Sequence, residues 1–430
     1  MRVLNPTSDF ASGLRTGESL TGVIDIGTSK VVCLMFASAR FGEPGVLRLI
    51  GFGHQRSRGL KASVVIDIDA AESAVRAAVQ QAEAMAGISL ERVYLPVGCG
   101  RLKSHNMKAS ASTAQGVITA ADLERLLASG RRYAERDGRT LLHMNAIGYR
   151  IDDVGGIGDP IELAGHTLAG DLHAVTADNA PLRNFIQVVE RCNLEVAGLT
   201  PQPYASAIAA TTLADRRDGV VAVDIGAGST TMAFFADGHL VSTHAAPVGG
   251  NHLTFDIARA LSTPVVEAER IKTLYGTMRA AHSDEHDLVP YKIAGDQDSP
   301  LQHATKTEIR AIIAPRVEAL VAMISERIET SAIAPARFAR VVLTGGGSQL
   351  VGLTDIAADL LDRPLRIGRL DARAGWAERI CAPVFSAACG AAMIANDEQL
   401  RGAGHGQLSS NSQAQSGYFG QVGRWIRESF

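Results

Sequence analysis

Val221-Ala222-Val223-Asp224-Ile225-Gly226-Ala227-Gly228-Ser229-Thr230-Thr231 decides the fold. An apolar run ends in a carboxylate, turns through glycines and continues into hydroxyl residues. That is the pattern of a buried strand followed by a tight turn. Val23-Ile24-Asp25-Ile26-Gly27-Thr28-Ser29-Lys30 presents the same device about 200 positions earlier. Glycine lets a backbone approach phosphate oxygens without a Cβ clash, and the free N–H groups of such turns form an anion-binding concavity. An aspartate there repels phosphate unless a divalent cation lies between, and magnesium takes that mixture of carboxylate, water and phosphate. One Asp-x-Gly turn is common in parallel sheets for structural reasons. Two, a domain apart, predict a polyphosphate held between two domains.

The chain has 430 residues, 46% of them hydrophobic and 20% charged, enough for two or three domains with full cores. A net charge of −3 gives no overall basic field, which argues against a nucleic-acid partner. Cys33, Cys99, Cys192, Cys381 and Cys389 form no C-x-x-C pair and read as buried thiols. No run approaches the ~20 apolar residues that span a bilayer. Residues 1–19 read as a flexible leader and not as a secretory signal.

Working outward, Leu20 to Phe36 predicts strand, turn and strand, Val46 to Phe52 a third strand, and Asp69 to Ala86 a helix closed by Gly87. From Val93 to Val175 short alternating segments surround one helix, Ala120 to Asp137, with Thr119 as N-cap. Val154 to Asp159 reads as a glycine-rich turn. Asn179 to Cys192 predicts a helix, Leu194 to Leu199 a strand, and Gln202 to Ala210 a small-residue helix able to lie close to another element. A hairpin follows around Asp237-Gly238. Gly249-Gly250, ahead of a helix from Asn251 to Leu261, is a third place where backbone N–H groups could meet an anion. His282 to Ser299 reads as a loop. Thr305 to Ser331 reads as a long helix in which Pro315 forces a kink or a later start. Arg340 to Leu343 runs into Thr344-Gly345-Gly346-Gly347, and helices follow at Leu353 to Leu361 and Val384 to Ala395.

Residues 397–417 are Gln, Ser, Gly and Asn with few apolar side chains, the composition of a flexible linker. Beyond it, Tyr418, Phe419, Val422, Trp425, Ile426 and Phe430 fall within one helical arc of roughly 140°, opposite Arg424 and Arg427. Aromatics beneath an arginine-bearing face predict a helix lying in a membrane interface. None of the twelve histidines shows a metal-ligand spacing.

Together these residues resemble the actin-like ATPase superfamily. Val23–Lys30 is similar to its first phosphate motif, Val221–Thr231 to its second, and Val341–Gly352 to its adenosine motif; Gln202–Ala210 and Ala387–Ala392 resemble its two connecting helices. Within it the chain resembles FtsA, the bacterial cell-division family. This likeness rests on Gly59-Leu60-Lys61 through Asp69, Ala82–Gly87, Val188–Leu194, Pro247–Gly250 with Asp256-Ile257, and the tail. The resemblance implies an α/β actin-like fold, two RNase H-like domains around a nucleotide cleft, with an inserted α+β subdomain and a C-terminal amphipathic helix. Its implied parts are 20–92 with 176–219 and 366–396 as one domain, 220–248 with 305–365 as the other, and 249–304 as a small subdomain over the nucleotide that is a candidate for FtsZ binding. An interaction insert at 93–175 and a membrane-targeting helix at 418–430 complete them.

For the site, the resemblance implies ATP and Mg2+. Asp25 and Asp224 would face magnesium through water. Gly27, Thr28, Ser29 and Lys30 would meet the phosphates from one side, and Gly226, Ala227, Gly228, Ser229 and Thr230 from the other. Gly249, Gly250 and Asn251 would lie near the phosphates and sugar, Glu269 and Lys272 at the adenosine, and Gly345, Gly346 and Gly347 under the nucleoside. Gln202 would orient an attacking water, and the ATPase activity would be weak at most. The second turn departs from the superfamily's usual Asp-x-Gly-Gly-Gly-Thr at Ala227 and Ser229. The implied role is to polymerise head to tail on the inner face of the membrane at the division site, to anchor FtsZ there and to recruit later division proteins. The alternatives are an FtsA-related pilus-assembly adaptor, a sugar-kinase-like phosphotransferase and an MreB-like filament.

Overall fold

The computed structural model describes residues 14–397 apart from 16, 39–46, 114–115, 296–299, 332 and 371–375. The linker and the tail helix expected at 397–430 therefore lie outside the described residues, except for Asp397.

Two five-stranded sheets share one plan. In the first, Ser19–Ile26, Lys30–Ser38 and Arg48–Arg56 form an antiparallel meander. Arg92–Val97 and Glu195–Pro201 extend it in parallel from the side of the first strand. In the second, Val220–Ile225, Thr230–Ala236 and His239–Ala246 form the meander, and Arg340–Thr344 and Leu365–Ile367 the parallel extension. In each sheet the Asp-bearing strand is the central one, its carboxylate at the end where the chain turns back. The central strands are buried along almost their whole length, as both-face covering requires.

Helices cover the outer faces. Ile68–Ala86 lies on the first sheet; Asp67 caps it by accepting from the Ala70 N–H at 3.0 Å, and Gly87 ends it in the left-handed region at φ 70°. Lys306–Glu329 lies on the second, opened by a reciprocal pair of hydrogen bonds between Thr305 and Glu308. Between the sheets run the connecting helices Gln202–Ala210 and Ser386–Asn396. One apolar core joins them to Val23, Leu34 and Phe36 of the first sheet and to Val220, Ala222 and Phe235 of the second. The two helices are in such close contact that a Cβ on Gly390 would stand 1.8 Å from the Ala205 carbonyl oxygen.

The inserted unit is a four-stranded antiparallel sheet of Lys103–Ser112, Thr167–Asp178, Arg139–Ile151 and Val154–Ile157. The helix Ala120–Ala134 packs on it, capped at Thr119. It is an α+β module with its own core around Leu126, Tyr149 and Leu172.

Several expectations are corrected. Val154–Ile157 is an edge strand, because Asp152 at φ 51° turns the chain back and pairs Ile151 with Val154 despite two glycines. The loop expected from His282 holds a short 3-10 turn, His282–Glu285, and a strand, Leu288–Tyr291, paired with Gln302–Thr305. The long helix starts at Lys306 and runs through Pro315. Ala311 and Pro315 are both exposed, so the carbonyl deprived of its partner faces water. Two expected boundaries cut strands. Residues 93–97 belong to the strand beside the central one of the first sheet, and 366–367 pair within the second.

Candidate functional site

The two Asp turns meet across a cleft of about 450 Å3. Each turn closes in the same way. Gly27 N–H donates to the Lys30 carbonyl at 2.9 Å, and Gly226 N–H donates to the Ser229 carbonyl at 2.9 Å. They also touch each other, since a Cβ on Gly228 would lie 2.7 Å from Thr28 Oγ1. Glycine at that position is what lets the two domains close this far.

Behind the turns lies a buried charge cluster. Asp25 is 9% exposed and Asp224 6%. Burial pushes the Asp25 carboxyl up to about 6, with Lys30 opposing the rise and Asp224 adding to it. Burial also raises Asp224, against hydrogen bonds from Ser206 Oγ at 2.5 Å and Gln202 Nε2 at 3.3 Å. Burial lowers Lys30, and the two aspartates pull it back. Its ammonium donates to the Val384 carbonyl and lies 5.0 Å over the Phe385 ring. Two carboxylates against one ammonium leave the pocket floor with a negative excess, which a cation would neutralise and a bare phosphate would oppose. Among the described residues no group of three or more His, Cys, Asp and Glu could hold a metal ion by itself. Asp25 and Asp224 are hard oxygen donors of the kind magnesium takes, and an ion held there would bring water and phosphate as its other ligands.

On the opposite wall Glu269 pairs with Lys272 at 2.6 Å and accepts from Thr254 Oγ1 at 2.5 Å; Lys272 Nζ also reaches the Gly250 carbonyl at 3.3 Å. This is a networked pair at a cleft rim, beyond a plain solvated one. Gly345, at φ 81°, passes so close to Asp224 that a Cβ would stand 2.1 Å from Oδ1. Gly346 by contrast faces open space, with only Val384 Cγ2 at 3.5 Å from its would-be Cβ.

The structure gathers most of the sequence-derived residues along this cleft: Asp25, Gly27–Lys30, Gln202, Asp224, Gly226–Ser229, Gly250, Asn251, Glu269, Lys272 and Gly345–Gly347. Thr230 and Gly249 do not line it. Thr230 is fully buried and spends its hydroxyl on the Val248 carbonyl at 2.7 Å. The amides expected to present an anion site after Gly249 are also engaged. Gly250 N–H donates to the Gly226 carbonyl at 2.9 Å, and Asn251 N–H to the Ala227 carbonyl at 2.8 Å. That helix start braces the second turn. Sequence reasoning missed Ser63 and Val384 on the cleft wall and Ser206 behind it; Leu350 and Val351, also on the wall, fell within the adenosine motif without being singled out. For Ser206 the signal was present, since it follows Gln202 by four positions on one helix. The tail residues Tyr418, Phe419, Val422, Trp425, Ile426 and Phe430 lie outside the described residues.

The family model for "Cell division protein FtsA" matches residues 221–390, and that for "SHS2 domain inserted in FTSA" matches 99–176. The cell division protein FtsA of Agrobacterium fabrum is 37% identical over 422 residues, covering 96% of this chain and 95% of that protein. FtsA of Escherichia coli K12 is 29% identical, with coverages of 96% and 99%. Among solved structures, the PilM–PilN type IV pilus biogenesis complex superposes with a TM-score of 0.63 at 16% identity, over 88% of this chain and 98% of that one. MreB5 of Spiroplasma citri bound to ADP superposes with a TM-score of 0.50 at 14% identity, with coverages of 86% and 94%. The structural likenesses carry the actin-like fold alone. The near-full-length identity carries more: this chain belongs to the FtsA family of bacterial cell-division proteins.

Proposed function

We propose that the cleft binds ATP with Mg2+, and that the ATP-bound form assembles head to tail on the inner face of the membrane, holds FtsZ filaments there and recruits later division proteins through the inserted four-stranded module. The role in cell division follows from the family; the steps within it are our reading. The observation that supports them is the pair of identically closed Asp turns facing each other, with buried Asp25 and Asp224 and half-buried Lys30 behind them. Asp25 and Asp224 would hold magnesium through water, and the ion would neutralise phosphate charge beside them. Gly27–Lys30 and Gly226–Ser229 would contact phosphates. Glu269, Lys272 and Gly345–Gly347 would bound the nucleoside. Gln202, which donates to Asp224, would orient a water, and any ATPase activity would be weak. Ligand contacts that span both turns favour the closed arrangement, so nucleotide shifts the population toward it.

Attachment is assigned to the aromatic face of 418–430. One such helix binds reversibly, and assembly multiplies it. The test is sedimentation of the full chain with FtsZ and anionic liposomes, with and without ATP, beside Trp425→Glu. ATP should increase co-pelleting of FtsZ and the variant should lose it. Equal pelleting of FtsZ in all samples would overturn the proposal.

A further inference from the structure

A short hairpin, Leu60–Lys61 with Val64–Val65, has the two-residue tip Ala62-Ser63 and brings Ser63 to the cleft wall. Both tip residues are left-handed, at φ 46° and 65°. A two-residue turn of this kind favours Asn-Gly, because each position needs positive φ. Ala and Ser are strained there. Such strain persists where the surroundings impose it, and it concentrates at functional sites.

The surroundings are specific. Ser63 is 5% exposed, and its N–H donates to Thr28 Oγ1 at 3.1 Å, which ties the hairpin to the first phosphate turn. Its own hydroxyl has no hydrogen-bond partner among the described residues. It does have a neighbour: the Cβ position of Gly98 lies 3.3 Å from Ser63 Oγ and 2.1 Å from Gln202 Oε1. Gln202 uses its amide NH2 on Asp224, so its Oε1 is an acceptor. The Ser63 hydroxyl thus stands on the cleft wall near the carboxamide that flanks Asp224, on the Thr28 side. A hydroxyl that opens to the cleft without a protein partner is free to donate to a ligand oxygen.

We propose that Ser63 is a specificity-determining residue whose hydroxyl donates to the terminal phosphate of a nucleoside triphosphate. A diphosphate would leave it unsatisfied, so Ser63 favours the triphosphate. The inference rests on the nucleotide reading above. Because its hairpin is hydrogen-bonded to Thr28, the turn conformation reports which nucleotide is present.

Strain and recognition pull in opposite directions at this position, which makes it testable. Glycine is the preferred residue at φ 65°, so Ser63→Gly should raise the melting temperature of the nucleotide-free chain while losing the hydroxyl. Ser63→Ala keeps the strain and loses the hydroxyl, so it should not raise it. Titration of the full chain with ATP and with ADP, both with Mg2+, should show the ATP-over-ADP preference falling about tenfold in both variants, the worth of one hydrogen bond to a charged oxygen. An unchanged preference in both variants overturns the proposal. So does a loss in Ser63→Gly alone, which would assign the effect to the backbone. If the unmodified chain binds neither nucleotide, the cleft reading itself fails, a result distinct from either.

Discussion

Adding one methyl group at Gly390 should disable the hinge. The Cβ of Gly390→Ala would stand 1.8 Å from the Ala205 carbonyl oxygen and 2.5 Å from its carbon, both backbone atoms that cannot rotate away. Restoring ordinary contact separates the helices Gln202–Ala210 and Ser386–Asn396 by roughly 1.5 Å, in a core where overpacking costs about 1–3 kcal/mol. The same movement carries Gln202 and Ser206 away from Asp224, now 3.3 Å and 2.5 Å from its Oδ2. The variant should therefore melt several degrees lower and also lose nucleotide affinity. Gly148→Ala in the insert is the control, since its Cβ would meet nothing within 4 Å and it does not line the cleft. Differential scanning calorimetry and titration with a fluorescent ATP analogue measure the two effects. A Gly390→Ala chain with unchanged melting temperature and affinity would refute the claim that close helix contact sets the geometry of the cleft.

Two further outcomes follow from the charges. Asp224→Ala should weaken Mg2+-dependent ATP binding at least about tenfold, through loss of the anionic group that Gln202 and Ser206 hold in place, and much less when the cation is chelated; equal affinities with Mg2+ would remove Asp224 from the site. Burial pushes His143 down to about 4 from an ordinary 6.5. The unfolded chain then takes up its proton first on acidification, so His143 costs stability as pH falls below 6.5, about 2 kcal/mol by pH 5. Asp25, pushed up, works the other way, and so the measurement is a difference: the destabilisation caused by His143→Phe should shrink between pH 7.5 and 5, and a constant gap by chemical denaturation would contradict the assignment.

Strands with a strong pattern were legible to within a few residues. Val220–Ile225 is apolar up to Asp224, and its valines together with the glycine turn that follows favour a buried strand. The helix Gln202–Ala210 was readable to its ends because Pro203 and the alanines leave few other packings. Edges were not legible. Val154–Ile157 and Leu288–Tyr291 carry Gly155, Gly156 and Pro290, which argue locally against a strand, and only pairing with a neighbour makes them one. Most of the site could be read because its backbone demands glycine, and glycine shows in a sequence. Ser63 could not, since its place in the cleft depends on a turn conformation that Ala62-Ser63 does not favour. Thr230 and Gly249 fell inside the motifs but outside the cleft, because a motif fixes spacing and the sheet fixes which side chains face in.

The insert adds a constraint that neither turn shows. It is spliced into the first domain, yet it rests on the second. Asn145 Nδ2 donates to the Leu240 carbonyl at 3.1 Å, Thr243 N–H donates to Ser104 Oγ at 3.1 Å, and His173 Nε2 meets the same hydroxyl at 2.8 Å. His143 packs against Tyr204 of the first connecting helix with ring centroids 4.4 Å apart. Any rotation of one domain on the other must therefore shear this seam as well as the crossing at Gly390. The seam is incompletely satisfied: Asn145 Oδ1, His173 Nδ1 and Thr243 Oγ1 are buried without partners among the described residues. Each such group costs of order 1–3 kcal/mol, so the contact gains less than a matched one and is cheaper to break. The helix crossing is tight and apolar while the insert contact is polar and loose. Domain motion should then pivot at Gly390 and slip at Ser104 and Thr243, carrying the insert's outer surface with it.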